Sequence, residues 1–176
     1  MNHDTQEISL RLEHYDDIFS DFDVRPYSKR ALSVDFLDEI KRASKDKNTG
    51  GIDLSLSIPE ISKNEENEKV IKERLKEHFS KHYLLFKKDK NSVLTLGLSM
   101  IVLGVIFMAL ATIIVFENPS EDLVMSFLIV FLEPAAWFLL WEGMDRAIFN
   151  SKSIKSDLDF YRKMSDEKNK IYFNSY

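Results

Sequence analysis

The 176-residue chain has no cysteine, only five glycines and four prolines, and a stretch of 53 residues, Val93 to Asp145, without one lysine or arginine. The missing cysteine removes thiol catalysis, thiolate metal centres and any disulfide framework. No glycine-rich phosphate loop is present, nor any nucleotide, kinase or Ser/His/Asp signature, so enzyme chemistry is not expected and no cofactor is implied. Met1 to Tyr15 contains no apolar run, so no cleavable signal peptide is expected and internal segments would direct any membrane insertion. The missing basic charge is the most informative absence. Met1 to Ser92 carries 17 basic and 19 acidic residues, Val93 to Asp145 none and six, and Arg146 to Tyr176 seven and four. The net charge of −5 therefore sums three unlike segments. None of them is strongly basic, so nucleic acid is not an expected partner.

Within the gap lie two apolar runs. Val93–Phe116 is 24 residues without a charge, enough at about 1.5 Å per residue to cover a hydrocarbon core of about 30 Å. Leu123–Trp141, 19 residues, is the second. The short acidic connection Glu117 to Asp122 makes the two antiparallel neighbours, a membrane α-helical hairpin of two transmembrane helices. Lys87, Lys88 and Lys90 precede the first run, Arg146, Lys152 and Lys155 follow the second, and the turn has no basic residue. The positive-inside bias then puts both termini in the cytoplasm of a cell with an inner membrane. Tyr83, Phe86, Trp137 and Trp141 are candidate interfacial anchors.

Three features of the hairpin carry candidate function. Gly97, Gly104 and Ala111 recur every seven residues and form a small-residue seam on which another backbone can pack closely. Glu133-Pro134 sits in the middle of the second run. A carboxyl group at that depth costs several kcal/mol unless it faces a partner, a second subunit or water. It is expected to be neutral and hydrogen-bonding, or else to line a pore or cavity. Pro134 withholds a donor from the Val130 carbonyl and is expected to kink the helix. Trp137 and Trp141 follow at four-residue steps on the same face. Glu142 and Asp145 form either an acidic inner mouth or ordinary ion pairs with Arg146 and the tail lysines.

Residues 1–92 read as a small cytoplasmic α/β domain in the order β-α-β-α, followed by the hairpin (93–145) and an amphipathic tail (146–176) bearing Ile154, Leu158 and Tyr161. Glu7 to Glu13 alternates as a half-buried strand, and Ile52, Leu54, Leu56 and Ile58 form a second one ending at Pro59. Between them, Ser33 is placed to cap a helix with Phe36, Leu37, Ile40 and Ala43 on its inner stripe, stopped by Asn48-Thr49-Gly50-Gly51. From about Glu65 a long helix carries Val70, Ile71, Leu75, His78, Phe79, His82 and Tyr83, interrupted at most by Asp89-Lys90-Asn91-Ser92. Two strands are too few for an independent sheet. Pairing across subunits, or extension by the loop after Phe19, is therefore expected, and a homo-oligomer with it.

A metal site is not expected here, though two weak candidates exist. Asp16, Asp17, Asp21 and Asp23 offer oxygens to a hard cation, but the spacing is not that of a calcium loop. The alternative is that they cap turns and pair with Arg25, Lys29 and Arg30. His78 and His82, four apart, have two-ligand spacing for Zn²⁺ with no evident third ligand, and His14 joins only through folding.

Leu56-Ser-Ile-Pro-Glu60 with Glu66, Glu68, Ile71, Leu75, His78, Phe79 and Tyr83 is the first of two familiar stretches. Ala136-Trp137-Phe-Leu-Leu-Trp141 with Tyr161-Arg-Lys-Met164 is the second. Together they resemble a family of small bacterial membrane proteins with a cytoplasmic α/β portion and two spans. The resemblance runs from Ile52 to Met164, with Glu142-Gly143 where those proteins carry Arg-Pro. It implies the two-span topology and a bacterial origin, and it implies no activity. The expected function is an oligomeric assembly in the lipid bilayer, such as a pore or transport-associated subunit. The alternative is a membrane anchor or scaffold whose cytoplasmic domain meets a protein partner or senses a ligand through Asp16 to Tyr27.

Overall fold

The computed structural model describes residues 6–47, 50–117 and 122–176. The expected helix stop at Asn48-Thr49 and the turn residues Asn118 to Glu121 lie outside them. In chain order the elements are β1 (Gln6–Arg11), α1 (Val34–Ser44), β2 (Ile52–Ile58), α2 (Glu65–Glu117), α3 (Leu123–Asp145), α4 (Ser151–Met164) and β3 (Ile171–Ser175). A π-helical turn, Arg146–Asn150, joins α3 to α4. Contacts divide the chain into two compact units. One holds the described residues up to Leu85 together with Asp157–Tyr176, and the other those of Phe86–Ser156. The final residues are thus part of the α/β unit, where the sequence suggested a separate tail.

The α/β unit is built on a three-stranded parallel sheet in the order β1-β2-β3. This corrects the expectation of two strands completed by a second subunit or by the loop after Phe19. The third strand comes from the same chain, and the long helices occupy the crossover from β2 to β3. Register places Ile8, Leu54 and Ile171 in one row and Leu10, Leu56 and Phe173 in the next, so one sheet face is apolar across all three strands. Phe36 and Ile40 of α1, Ile71, Leu75 and Phe79 of α2, and Phe160 and Met164 of α4 complete the core against it.

β2 is not the half-buried strand its alternation suggested. It is central, and Asp53 and Ser55 on its polar side are buried as well. Both are satisfied there: Asp53 Oδ1 accepts from the Lys170 amide at 2.7 Å, and Ser55 Oγ accepts from Asn174 Nδ2 at 2.9 Å. On the same face Glu7, Ser9, Arg11, Tyr172 and Asn174 are exposed and Ser57 is half-buried.

The α1 stripe is as expected, with Phe36 and Ile40 buried and Leu37 and Ala43 half-buried. Ser33 does not cap it by its side chain. Its backbone amide instead donates to the Ile18 carbonyl at 2.9 Å. At the other end Lys163 Nζ donates to the carbonyls of Ser44 (3.2 Å) and Lys47 (2.8 Å), placing a cation where helix carbonyls are unpaired. Lys41 of α1 pairs with Asp157 of α4. These contacts hold the last part of α4 in the unit. For α2 the cap is Asn64, whose Oδ1 accepts from the amides of Glu66 and Asn67, both at 3.0 Å.

In the second unit α2 is continuous through Asp89 to Ser92, so the expected interruption does not occur. Two helical runs, Glu65–Glu117 and Leu123–Met164, are long and apolar enough to cross a membrane. Only 11% and 6% of their most apolar stretches are buried, so neither is the packed centre of a soluble domain. α3 continues past Trp141 to Asp145 and contains Pro134.

Candidate functional site

The helical hairpin positions the site, and glycine sets how closely its helices approach. A Cβ at Gly97 would lie 2.8 Å from the Gly143 carbonyl oxygen, and one at Gly143 would lie 2.7 Å from the Gly97 carbonyl oxygen. A Cβ at Gly104 would meet the Ala136 carbonyl oxygen at 3.0 Å. Ala111 and Ala136 are buried. The seam of Gly97, Gly104 and Ala111 therefore packs within the chain, against Gly143, Ala136 and Ala147, and is not left open for a second subunit. Sequence reading missed the α3 half of it. Ala136 and Gly143, seven apart, were the available signal.

Beside this seam α2 and α3 enclose a groove of about 440 Å³. Met108, Ala111, Thr112 and Val115 of α2 form one wall, and Glu133, Ala136 and Trp137 of α3 the other. The Thr112 hydroxyl donates to its own helix at Met108 O, 2.8 Å away. Glu133 and Pro134 are exposed, and among the described residues no hydrogen bond or ion pair reaches the carboxyl group. Trp137 and Trp141 are exposed at 63% and 67%. One carboxyl group and one indole thus stand a helical turn apart on an apolar wall, with no cation from the described residues lining it. Glu142 does not join this group. It accepts from Arg146 Nε at 2.8 Å in an i,i+4 pair, while Asp145 is exposed. The pair lowers the charge of the suggested acidic mouth.

Family models, curated proteins and solved structures yield no match to this chain.

In the α/β unit the acidic loop is held by its own turns and arginines. Asp17 Oδ2 accepts from the amides of Glu13 (2.7 Å) and His14 (3.0 Å). Asp23 accepts from Arg25 Nη2 at 2.8 Å and from the Ala31 amide at 2.7 Å, and these bonds hold its carboxyl below the usual range. Asp16 pairs with Arg30, and Asp21 is exposed. No group of three or more His, Cys, Asp or Glu side chains suited to a metal ion occurs among the described residues.

His78 and His82 form a different cluster. Their ring centroids lie 4.1 Å apart, and His82 stacks on Tyr161 of α4 at 5.2 Å. His78 is buried, and among the described residues its Nε2 has no hydrogen-bond partner. Burial first, then His82, Arg74 and Lys81, holds the His78 pKa down to about 4. Burial, then Lys81 and Arg74, lowers that of His82 too. Burial, then Asp157 and Asp38, raises that of Tyr161. A histidine favoured neutral in the fold contributes stability that is complete above pH 6.5 and lost as the pH falls towards 4, because the unfolded chain takes up the proton first. Wild type should lose stability across that window, and His78→Phe should lose much less of it. Hydrogen exchange of the Ile52–Ile58 amides, corrected for the intrinsic rate, reads this out. An identical acid response in both proteins would remove the histidines as its cause.

Proposed function

We propose that this chain is an integral inner-membrane protein of bacterial type, an oligomeric assembly such as a pore or transport-associated subunit, with Glu133 in a shielded polar site. Both termini lie in the cytoplasm in this reading. The observation that carries it is the carboxyl group of Glu133, exposed on the hairpin and unpartnered among the described residues. In hydrocarbon such a group costs several kcal/mol, and a second subunit or a water-filled path removes that cost. The sheet completed within one chain and the filled glycine seam no longer argue for self-association, so the reading rests on this residue.

The test is reconstitution in liposomes with ion flux measured for wild type and Glu133→Gln, together with the mass of the detergent-solubilised particle. A multimeric wild type with flux that falls at least tenfold in Glu133→Gln is expected. An intact multimer with no flux in either protein removes the pore, and a monomer removes the assembly. For orientation, reporters fused after Tyr176 and within Asn118 to Ser120 should fall on opposite sides of the membrane. A second reading, an anchor whose cytoplasmic domain recruits a protein partner, is favoured by the open polar sheet face of Glu7, Ser9, Arg11 and Tyr172.

A further inference from the structure

We propose that the groove between α2 and α3 binds a lipophilic organic cation, an amine or onium ion with apolar substituents. Glu133 serves as its counter-ion and Trp137 as its aromatic wall. The inference deepens the membrane reading above and rests on it.

Four observations select this ligand class. The first is charge. Glu133 lines the groove without an ion-pair partner among the described residues, and no lysine or arginine exists between Val93 and Asp145 to supply one. The second is the wall. Met108, Ala111, Val115 and Ala136 offer apolar surface, which suits the substituents of an onium ion and not a hydration shell. The third is Trp137, one helical turn from Glu133, 63% exposed and lining the same groove. An indole face attracts a poorly hydrated cation, and more strongly where water is excluded. The fourth is what the groove lacks. Ca²⁺ requires six to eight oxygen ligands and Mg²⁺ six. Among the described residues the only side-chain oxygens lining the groove are the two of Glu133 and the one of Thr112, too few for either ion. The volume, about 440 Å³, lies in the range of small-molecule sites. A cation with apolar arms also partitions into the bilayer from which such a groove opens.

The two tryptophans allow a direct test, since Trp141→Phe leaves Trp137 as the single indole. Full-length Trp141→Phe in zwitterionic lipid nanodiscs is titrated with tetraphenylphosphonium while Trp137 fluorescence is followed. Saturable quenching is expected, weakened at least tenfold by adding Glu133→Gln and largely kept by adding Glu133→Asp. The anion tetraphenylborate, similar in shape, should give no saturable response. Saturation unchanged by Glu133→Gln, or equal with both probes, reports partitioning into lipid and overturns the proposal, as does absence of saturation. Particle mass and ion flux on the same preparations separate this from the assembly reading. A multimer with flux and no saturable quenching sinks the cation site alone. A monomer without flux sinks the assembly, whatever the cation does.

Discussion

A chain stopped at Lys170 is expected to lose the fold of the α/β unit while its long helices remain helical. β3 is an edge strand in position but supplies much of what holds β2. Phe173 is buried, edge-on to Tyr15 at 5.6 Å between ring centroids, and Ile171 packs against the same core. The Tyr176 amide donates to the Ile58 carbonyl at 3.1 Å, and Tyr176 O accepts from the Glu60 amide at 3.3 Å. The Tyr176 hydroxyl donates to Leu12 O at 3.0 Å, and its ring lies 4.0 Å from the Arg11 guanidinium carbon. Removing Phe173 alone to Ala should cost about 3–5 kcal/mol. Losing the ladder adds about 1 kcal/mol per hydrogen bond and leaves the edge of β2 unpaired. Set against a typical domain stability of about 5–15 kcal/mol, the truncation is not survivable for this sheet. Hydrogen exchange should show the Ile52–Ile58 amides unprotected in the truncated chain, with the α3 amides still slow in micelles. Undiminished protection of β2 would mean that the sheet is held by something other than β3.

That dependence explains what could and could not be read from the sequence. The two apolar runs, the α1 stripe and the alternation of β2 are local patterns, and periodicity exposes them. β3 is five residues long, Ile-Tyr-Phe-Asn-Ser, and its partner lies more than a hundred residues earlier, across the whole crossover. Nothing local distinguishes it from an irregular end. Ser33 is a half-success: it sits at the N-cap position its type and place suggested, and its carbonyl accepts from the Leu37 amide, but its hydroxyl makes no capping bond. At the groove, Glu133 and Trp137 were legible from a carboxyl group in an apolar run and a four-residue step. That Met108 and Thr112 face them was not, because the register of one long helix against another is set by packing. The same limit hid Gly143, which lies among charged neighbours and looks like part of a polar gap until Gly97 is seen against it.

Gly143→Leu is expected to destabilise the hairpin more than any other single change in it. Two effects of opposite sign meet at this position. Replacing a glycine inside a helix gains up to about 1 kcal/mol of helical preference. Against this, a Cβ at Gly143 would lie 2.7 Å from the Gly97 carbonyl oxygen, 2.8 Å from Ile101 Cγ1 and 3.0 Å from the Ile101 amide nitrogen. Two of these three neighbours are backbone, which cannot turn aside as a side chain can. The helices must separate, and the contacts of Gly104 with Ala136 and of Ala111 loosen with them. Overpacking of this kind costs about 1–3 kcal/mol, and a leucine on a seam that already excludes a methyl group belongs at the upper end. The net effect should be a loss of about 2 kcal/mol, or about 10 °C in the thermal midpoint of a unit this size. Gly97→Leu should behave similarly, because its nearest neighbour is also a carbonyl oxygen, at 2.8 Å. Gly104→Ala should cost less, since its contacts begin at 3.0 Å and include the side chain of Leu140. Gly50→Ala, with nothing within 4 Å, serves as the neutral control. Far-UV circular dichroism and tryptophan fluorescence in micelles follow the melt, both tryptophans being on α3. An unchanged or raised midpoint for Gly143→Leu would mean that the two helices do not meet at this seam, and the groove lined by Glu133 and Trp137 would lose its second wall.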